Sequence, residues 1–300
     1  MSNQKQRTYA PVKPARSYDE QARRLMEVHN LEVGDPRRAE QILSTVNYYR
    51  LTTYGKHLRR PDDPERFIGG VSLDHLYHLY QFDMELRHLL LPVLEHFEVQ
   101  LRAKLSYHLA MTYGSTGYAD RANFRPDRQS QGSHKSLMNK FSIEVKRQDD
   151  LAFVRHHQNK YGGQFPVWVA VELFSFGMLA QLYDILIEDD QWAISKAYDL
   201  TPEEMAALIG SAVDVRNICA HYARLYNQTI EDHPILPAKY QAYQSDYVFP
   251  VVLMLRLCAG GQRVYHQMIR GIAQLTETYP EADLTLCGFP ENWETLLKNG

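Results

Sequence analysis

Several features that define secreted and membrane proteins are missing from this sequence. The only cysteines, Cys219, Cys258 and Cys287, are far apart and form no Cys-x-x-Cys pair. A chain of 300 residues needs no disulfides to fold, so a reducing compartment fits. No stretch approaches the ~20 apolar residues of a membrane span, and the N-terminus has no apolar signal segment. We therefore expect a cytoplasmic protein that does not associate with membranes.

Metal-binding and nucleotide-binding motifs are also missing. There is no Gly-rich phosphate loop and no His-Glu-x-x-His sequence. The pairs His75/His78 and His156/His157 lack the third ligand and the carboxylate spacing of a zinc site. The sequence therefore predicts neither a metal nor a cofactor. Internal repeats, low-complexity tracts and β-strand alternation are absent too.

Positive charge is concentrated at one end of the chain. The net charge is −3, but residues 1–60 contain 12 Lys plus Arg and 6 Asp plus Glu, so they carry +6 and the remaining 240 residues carry −9. Cations beside aromatic rings are typical of single-stranded RNA binding, in which phosphates pair and bases stack. The residues predicted to bind RNA are Arg23, Arg24, Arg37, Arg38, Tyr48, Tyr49, Arg50, Tyr54 and Lys56, and the same basic end includes Arg59 and Arg60. The alternative is a solvated helical face with its tyrosines in the core.

Apolar periodicity and capping residues predict an all-α fold, with 44% apolar and 23% charged residues as in globular proteins. Asp35 before Pro36 is a typical helix start. Ser72 precedes a long apolar stripe that Pro92 should kink or break in two. Helices are expected at 17–29, 36–47, 72–113, 136–160, 166–187 and 251–278, with a short helix opened by Thr201 and Glu204 and a motif helix after Gly210. Segments 60–71 and 114–135 should be loops, the second mobile and near substrate.

The expected organisation is a flexible tail (1–16), a basic helical region (17–71) and a larger helical domain (72–300). The last contains a predicted helix with one polar and one apolar face. At about 100° per residue, Asn217 and His221 stand one turn apart. The polar face comprises Asp214, Asn217, His221, Arg224 and Gln228, and the core-facing arc comprises Val215, Ile218, Cys219, Tyr222, Leu225 and Tyr226. Arg216 lies at the edge of the polar face, from which it can reach towards His221.

An imidazole, a carboxamide and a guanidinium together suit the cleavage of RNA. RNA supplies its own nucleophile, the 2′-hydroxyl, so no metal is required. Histidine can take the 2′-proton or return one to the leaving oxygen, and arginine can hold the phosphate and its developing charge. We assign His221 to acid–base catalysis, Arg216 to the phosphate and Asn217 to orientation. Because one histidine cannot easily be both acid and base, we expect a homodimer in which two motifs face each other.

The spacing of Arg216 and His221 is weak evidence by itself. Comparable spacings occur at Arg24/His29, Arg50/His57, Arg102/His108 and Arg128/His134. An ordinary amphipathic helix with a solvated polar side is the alternative interpretation. The Arg216/His221 pair differs from these four pairs in two respects. Asn217 follows the arginine directly, and the helix has a complete apolar face on the side opposite the polar residues.

Residues 216–227 read Arg-Asn-Ile-Cys-Ala-His-Tyr-Ala-Arg-Leu-Tyr-Asn. This resembles Arg-Asn-x-Cys-Ala-His-His-x-Arg-Leu-Trp-Asn, the signature of the bacterial Abi-like (abortive infection) proteins of the HEPN superfamily. Segments 47–54, 98–102, 166–177 and 288–293 resemble further blocks of that family in the same order, over about residues 17–295. The chain departs from the pattern at Asn47, which replaces Gly, at Tyr222, which replaces His, and at Tyr226, which replaces Trp; His29-Asn30 replaces Arg-Gly.

The resemblance implies a HEPN-like helical bundle and a metal-independent endoribonuclease, with Arg216, Asn217 and His221 in the catalytic positions. It implies that Glu98 binds and orients Arg216 or Arg224, and Arg102 is a further supporting candidate. An internal Glu98–Arg102 pair at helical spacing is the simpler alternative. A role in phage defence is also implied, in which infection releases an RNase that a bound RNA or a partner protein holds inactive.

Two other classes of function stay open. The chain could hold a small structured RNA through its basic N-terminal region without cleaving it. It could also be an antitoxin or scaffold that acts only through protein contacts. The intact Arg-Asn-x-x-x-His favours the enzyme, because a pure binder needs no titrating imidazole.

Overall fold

Helices account for the regular structure of the chain. A computed structural model describes residues 12–299, and these form thirteen α-helices and no β-strand, apart from two isolated β-bridges. The all-α prediction is therefore confirmed. Residues 1–11 of the predicted tail lie outside the described residues. The chain divides into two compact units, of which the first ends at Gln81 and the second begins at Phe82. The predicted boundary between residues 71 and 72 lies just before the helix Leu73–Tyr113, whereas the division between Gln81 and Phe82 falls within that helix.

The helices of the first unit begin where the sequence supplies a side-chain cap. They are α1 (Tyr18–Glu27), α2 (Pro36–Thr45) and α3 (Tyr48–Tyr54), followed by a 3₁₀ turn at Lys56–Leu58. Ser17 and Glu20 form a reciprocal capping box, Asp35 accepts from the Arg37 N–H, and Asn47 accepts from the Tyr49 N–H. Asn47, which replaces the Gly of the family pattern, thus starts α3.

The first unit has its own apolar core. It consists of Ala22, Leu25, Leu31, Val33, Ala39, Ile42, Leu43, Val46, Leu51, Phe67, Val71, Leu73 and Leu76, all buried. Burial of this surface stabilises the packing of α1 against α2, because removing apolar area from water contributes roughly 25 cal/mol per Å². The unit therefore has a hydrophobic interior that does not depend on the motif helix.

The longest helix, α4, runs from Leu73 to Tyr113. Its predicted stripe is fully buried at Leu86, Leu90, Val93, Leu94, Phe97, Leu101, Leu105 and Leu109. The helix continues through Pro92, so the predicted break into two helices is wrong, and the alternative, a kink, stays a prediction. Proline has no N–H, so the carbonyl of His88, four residues earlier, receives no helical hydrogen bond. Both Pro92 and His88 are exposed. Water can therefore satisfy that carbonyl while the opposite face stays packed.

In the second unit, the later helices pack around α8 and α10. The elements are α5 (Arg128–Arg147), α6 (Ala152–Tyr161), α7 (Val167–Ala170), α8 (Phe176–Ile185), α9 (Glu188–Ser195), α10 (Pro202–Ala220), α11 (Phe249–Ala259), α12 (Arg263–Thr278) and α13 (Trp293–Asn299). Helix α8 lies between α5 and α10, and α10 also contacts α9 and α11. Gly271 of α12 brings its backbone so close to Leu89 that a Cβ atom would lie 2.4 Å from that side chain. A larger residue at this position would therefore require the Leu89 side chain to move.

Five of the predicted helix and loop boundaries are wrong. Helix α5 begins at Arg128 because Asp127 accepts from the Ser130 N–H, so the supposed loop 114–135 is partly helical. The predicted helix 136–160 is two helices, as is 251–278, which is interrupted at Gly260. The segment 166–187 divides where Ser175 caps α8. Conversely, α10 continues through Gly210 instead of starting after it.

Candidate active site

Helix α10 carries Arg216 and Asn217 in its last turn. Thr201 and Glu204 form the capping box that opens it, as predicted. The helix ends at Ala220, and His221 is its C-terminal cap. Tyr222 follows in the left-handed conformation, with φ of 58°. The Ala223 N–H donates to the Ile218 carbonyl at 3.0 Å and the Tyr222 N–H to the Cys219 carbonyl at 3.4 Å, which is a Schellman motif closed by a non-glycine residue.

This ending corrects the predicted polar stripe. Arg224 and Gln228 lie beyond the helix, where the Arg224 guanidinium donates to Gln228 Oε1 at 2.8 Å. Tyr222, predicted to face the core, is 66% exposed, whereas Leu225 and Tyr226 are buried as expected. The helical period of 3.6 cannot be extended past a left-handed residue, because that residue reverses the chain direction.

A buried carboxylate holds the chain after this turn. Asp83 Oδ1 accepts hydrogen bonds from the N–H groups of Leu225 and Tyr226 at 2.9 and 2.7 Å. Asp83 Oδ2 accepts from Arg87 Nε at 3.1 Å, and both charged residues are almost completely buried. Sequence reasoning did not single out this pair. The available signal was two opposite charges, four residues apart, inside an apolar helix face.

Arg216 meets Glu98, a residue of α4. Arg216 Nη2 lies 3.5 Å from Glu98 Oε2, and Arg102 Nη2 lies 2.9 Å from Glu98 Oε1. Arg102 Nη1 also donates to the Phe174 carbonyl at 3.0 Å. The contact expected between Glu98 and Arg216 is thus present, and so is the internal Glu98–Arg102 pair. One half-buried carboxylate is shared by two guanidinium groups.

Two further contacts fix the Arg216 side chain. Its Nη1 donates to Asn217 Oδ1 at 3.1 Å, and its guanidinium lies 5.7 Å from the centre of the Phe176 ring. Its Nε is buried and has no hydrogen-bond partner among the described residues. Arg216 is therefore oriented by an anion, an amide and a ring, and it keeps one donor without a protein acceptor.

His221 is placed differently from Arg216. Its backbone N–H donates to the Asn217 carbonyl at 2.9 Å, and the residue is exposed. The structure therefore gathers Arg216, Asn217, Glu98 and Arg102 into one polar cluster, with His221 accessible at the end of the same helix. Arg224 lies three residues further along, in the segment that Asp83 fixes.

Most of the residues predicted to bind RNA in the first unit fall into three groups: residues that line a cavity, arginines in ion pairs, and other exposed or half-buried cations. Arg24, Tyr48 and Tyr49 line one cavity. Arg23 pairs with Asp19, and Arg38 Nε lies 3.4 Å from Asp74 Oδ1. Arg37 and Lys56 are exposed, and Arg50 is half-buried.

Tyr54 is the exception among these residues. It is fully buried and meets the Tyr80 ring edge to face, with ring centres 5.7 Å apart. The prediction that its ring stacks on a base is therefore wrong. The alternative interpretation, in which the tyrosines lie in the core, is correct for Tyr54. Tyr49, by contrast, is 77% exposed.

Neither a metal cluster nor a membrane-spanning helix is found in residues 12–299. No three His, Cys, Asp or Glu side chains of this range come together as a metal site requires. None of its helices combines the length and apolar content needed to cross a membrane.

Fold and site together define an all-helical protein with an Arg-Asn-x-x-x-His cluster at the end of a packed helix. A family model described as Abi-like protein matches residues 41–227. This is more than half of the chain, and the chain therefore belongs to the Abi-like family. The matched range includes Glu98, Arg102 and the motif at 216–221. No curated protein and no solved structure matches the chain.

Proposed function

We propose that this Abi-like protein is a metal-independent endoribonuclease of the HEPN type that acts in phage defence. The observation that carries the proposal is the orientation of Arg216 by Glu98 and Asn217 at the helix end that presents His221. A fixed guanidinium and an accessible imidazole at the same helix end could provide charge stabilisation and proton transfer without a metal.

The reaction is an internal transesterification. A base removes the proton of the 2′-hydroxyl, and the 2′-oxygen forms a bond to phosphorus. The bond between phosphorus and the 5′-oxygen breaks, and that oxygen leaves with the electron pair and takes up a proton. The products are a 2′,3′-cyclic phosphate and a 5′-hydroxyl. Arg216 binds a non-bridging oxygen, and His221 transfers a proton.

A homodimer supplies the second proton-transfer group. One histidine cannot act as base and acid in the same step, so we propose that the motifs of two copies face each other. The exposed position of His221 supports this arrangement, because its ring is open to a second chain. An RNase that acted without restraint would harm its host. We therefore propose that a bound RNA or a partner protein controls the activity.

The alternative function is RNA binding without cleavage. It is favoured by the cations and exposed tyrosine of the first unit, which suit phosphate and base contacts. A scaffold that acts only through protein contacts is the third possibility, and it predicts that no RNA co-purifies.

The deciding experiment compares wild type with Arg216→Ala and His221→Ala on RNA in the presence of EDTA. Arg155→Ala and His156→Ala serve as matched controls, since both residues are exposed on α6. Cleavage by wild type and controls but not by the motif variants, with cyclic-phosphate ends detected by mass spectrometry, would support the nuclease. Cleavage or cell toxicity that survives both motif substitutions would refute it. A discrete RNA that co-purifies without being cut by any variant would favour the binder.

A further inference from the structure

The first unit contains a cavity of about 650 Å³. Its walls come from the segment before α1, from α1 and α3, and from the segment that follows the 3₁₀ turn. Small-molecule sites typically occupy about 300–1,000 Å³. The cavity is therefore of the right size for a single nucleotide.

The lining of this cavity is strongly cationic. Among the residues that the structure describes, Lys13, Arg16, Arg24 and Arg59 contribute to it, and Glu65 is the only carboxylate. Within residues 12–299, none of the first three cations forms an ion pair with a carboxylate. Cations gathered without neutralising partners repel one another, and a bound anion relieves that repulsion.

Arg59 is held in place more firmly than the other cations. Its Nη1 donates to the carbonyls of Pro64 and Glu65 at 3.0 and 2.8 Å, and its guanidinium lies 4.4 Å from the centre of the Phe67 ring. Burial lowers the pKa of this guanidinium from its usual value. A partly desolvated, oriented arginine is well suited to a phosphate group.

Aromatic and polar groups complete the site. Tyr49 is 77% exposed, so one of its ring faces is accessible to a base. The Tyr48 hydroxyl is buried, and the Arg24 guanidinium lies next to it: burial raises the pKa of Tyr48, and Arg24 opposes that change. Arg24 and Tyr48 thus lie together on the cavity wall.

We propose that this cavity binds a nucleoside phosphate, with the phosphate on Arg24 and its neighbouring cations and the base against Tyr49. Two sources offer this chemistry, namely a free nucleotide and the phosphorylated end of an RNA chain. The inference does not depend on the proposed nuclease activity, because the site lies in the other unit and binding is measured directly.

Titration calorimetry at physiological salt tests the proposal with the full chain. The probes are the four nucleoside 5′-monophosphates, inorganic phosphate, and short RNAs with either a 5′-phosphate or a 5′-hydroxyl. Arg24→Gln should weaken binding by at least ~10-fold, as expected for loss of a charge-assisted hydrogen bond. Arg66→Gln is the matched control, because Arg66 lies in the same unit outside the cavity lining, is exposed and is paired with Asp63. Tyr49→Ala tests the base contact.

Saturable binding of a free monophosphate that is weakened by Arg24→Gln and Tyr49→Ala, but not by Arg66→Gln, identifies a nucleotide site. The same pattern for the 5′-phosphorylated RNA alone identifies the end of an RNA chain as the ligand. Equal losses from Arg66→Gln and Arg24→Gln would reveal diffuse charge attraction and overturn the proposal. It is also overturned if no probe binds, or if inorganic phosphate binds as tightly as the nucleotides and Tyr49→Ala has no effect.

Discussion

The backbone N–H of Tyr226 donates a 2.7 Å hydrogen bond to Asp83 Oδ1, an oxygen that also accepts from Leu225. The other carboxylate oxygen pairs with the buried Arg87. This single side chain of α4 thus connects the buried interior of the second unit to the segment that follows the motif. The turn at His221 is stabilised by contacts that lie far away in sequence.

Asp83→Ala should lower the free energy of unfolding by about 3–5 kcal/mol, because it leaves Arg87 as an unpaired buried charge and removes the acceptor of two N–H groups. Asp83→Asn should cost less, since its carbonyl oxygen can still accept from both. Urea unfolding measures the difference. Glu294→Ala is the control, because the Glu294–Lys298 pair is about half exposed and should cost at most ~1 kcal/mol. Equal losses in Asp83→Ala and Glu294→Ala would contradict the role of Asp83.

A second prediction concerns the left-handed residue Tyr222. Its φ of 58° suits glycine and is especially unfavourable for β-branched side chains. Tyr222→Gly should therefore be more stable than Tyr222→Val by about 2 kcal/mol. At Ile143, an exposed position within α5, the same two substitutions should rank in the opposite order by a few tenths of a kcal/mol. Thermal unfolding of the four variants is the measurement, and an identical ranking at both positions would show that the turn at Tyr222 is not required.

Helix starts in this protein could be predicted because they depend on nearby residues. Ser17, Asp35 and Thr201 each cap a helix through an N–H two or three residues later. The end of α10 could not be predicted in the same way. A Schellman ending usually has Gly after the cap, whereas here Tyr222 occupies that position and Asp83 fixes the following residues from another helix.

The same distinction applies to the candidate site. Arg216, Asn217 and His221 were identifiable because they lie within one turn and a half of sequence. Glu98 was named only through the family resemblance, and no pattern pointed to the Phe174 carbonyl that accepts from Arg102. The sequence also does not show which tyrosines of α3 are buried and which are exposed, because Tyr49 and Tyr54 differ only in the side of a short helix that they occupy.

The stability of the first unit should depend on pH through His29. Burial, with the Arg59 and Arg24 charges, lowers the pKa of His29 below its ordinary 6.5, although the hydrogen bond to the Glu65 carbonyl opposes the change. The folded state then binds the proton more weakly than the unfolded state. The stabilising contribution of neutral His29 is therefore present above pH 6.5 and is lost as the pH falls through the lowered pKa.

Hydrogen exchange of residues 18–31, corrected for intrinsic exchange rates, can measure this effect. Protection in wild type should decrease as the pH is lowered below 6.5. His29→Gln should show a flatter dependence, because its amide can still donate to the Glu65 carbonyl but does not titrate. A parallel decline in both proteins would assign the pH dependence to other groups.

The final prediction tests whether Glu98 positions Arg216. Glu98→Gln removes the charge that holds Arg216 Nη2 at 3.5 Å, and a misplaced phosphate-binding group typically costs about 10²-fold in rate. The loss should appear in kcat more than in KM, and Glu98→Asp should recover part of it. Arg102→Ala should cost less, because Glu98 keeps its contact with Arg216. Glu95→Gln, one turn earlier on α4 and exposed, is the matched control. If Glu98→Gln and Glu95→Gln both cleave RNA at the wild-type rate, the shared carboxylate is a structural ion pair only, and Arg216 needs no positioning from α4.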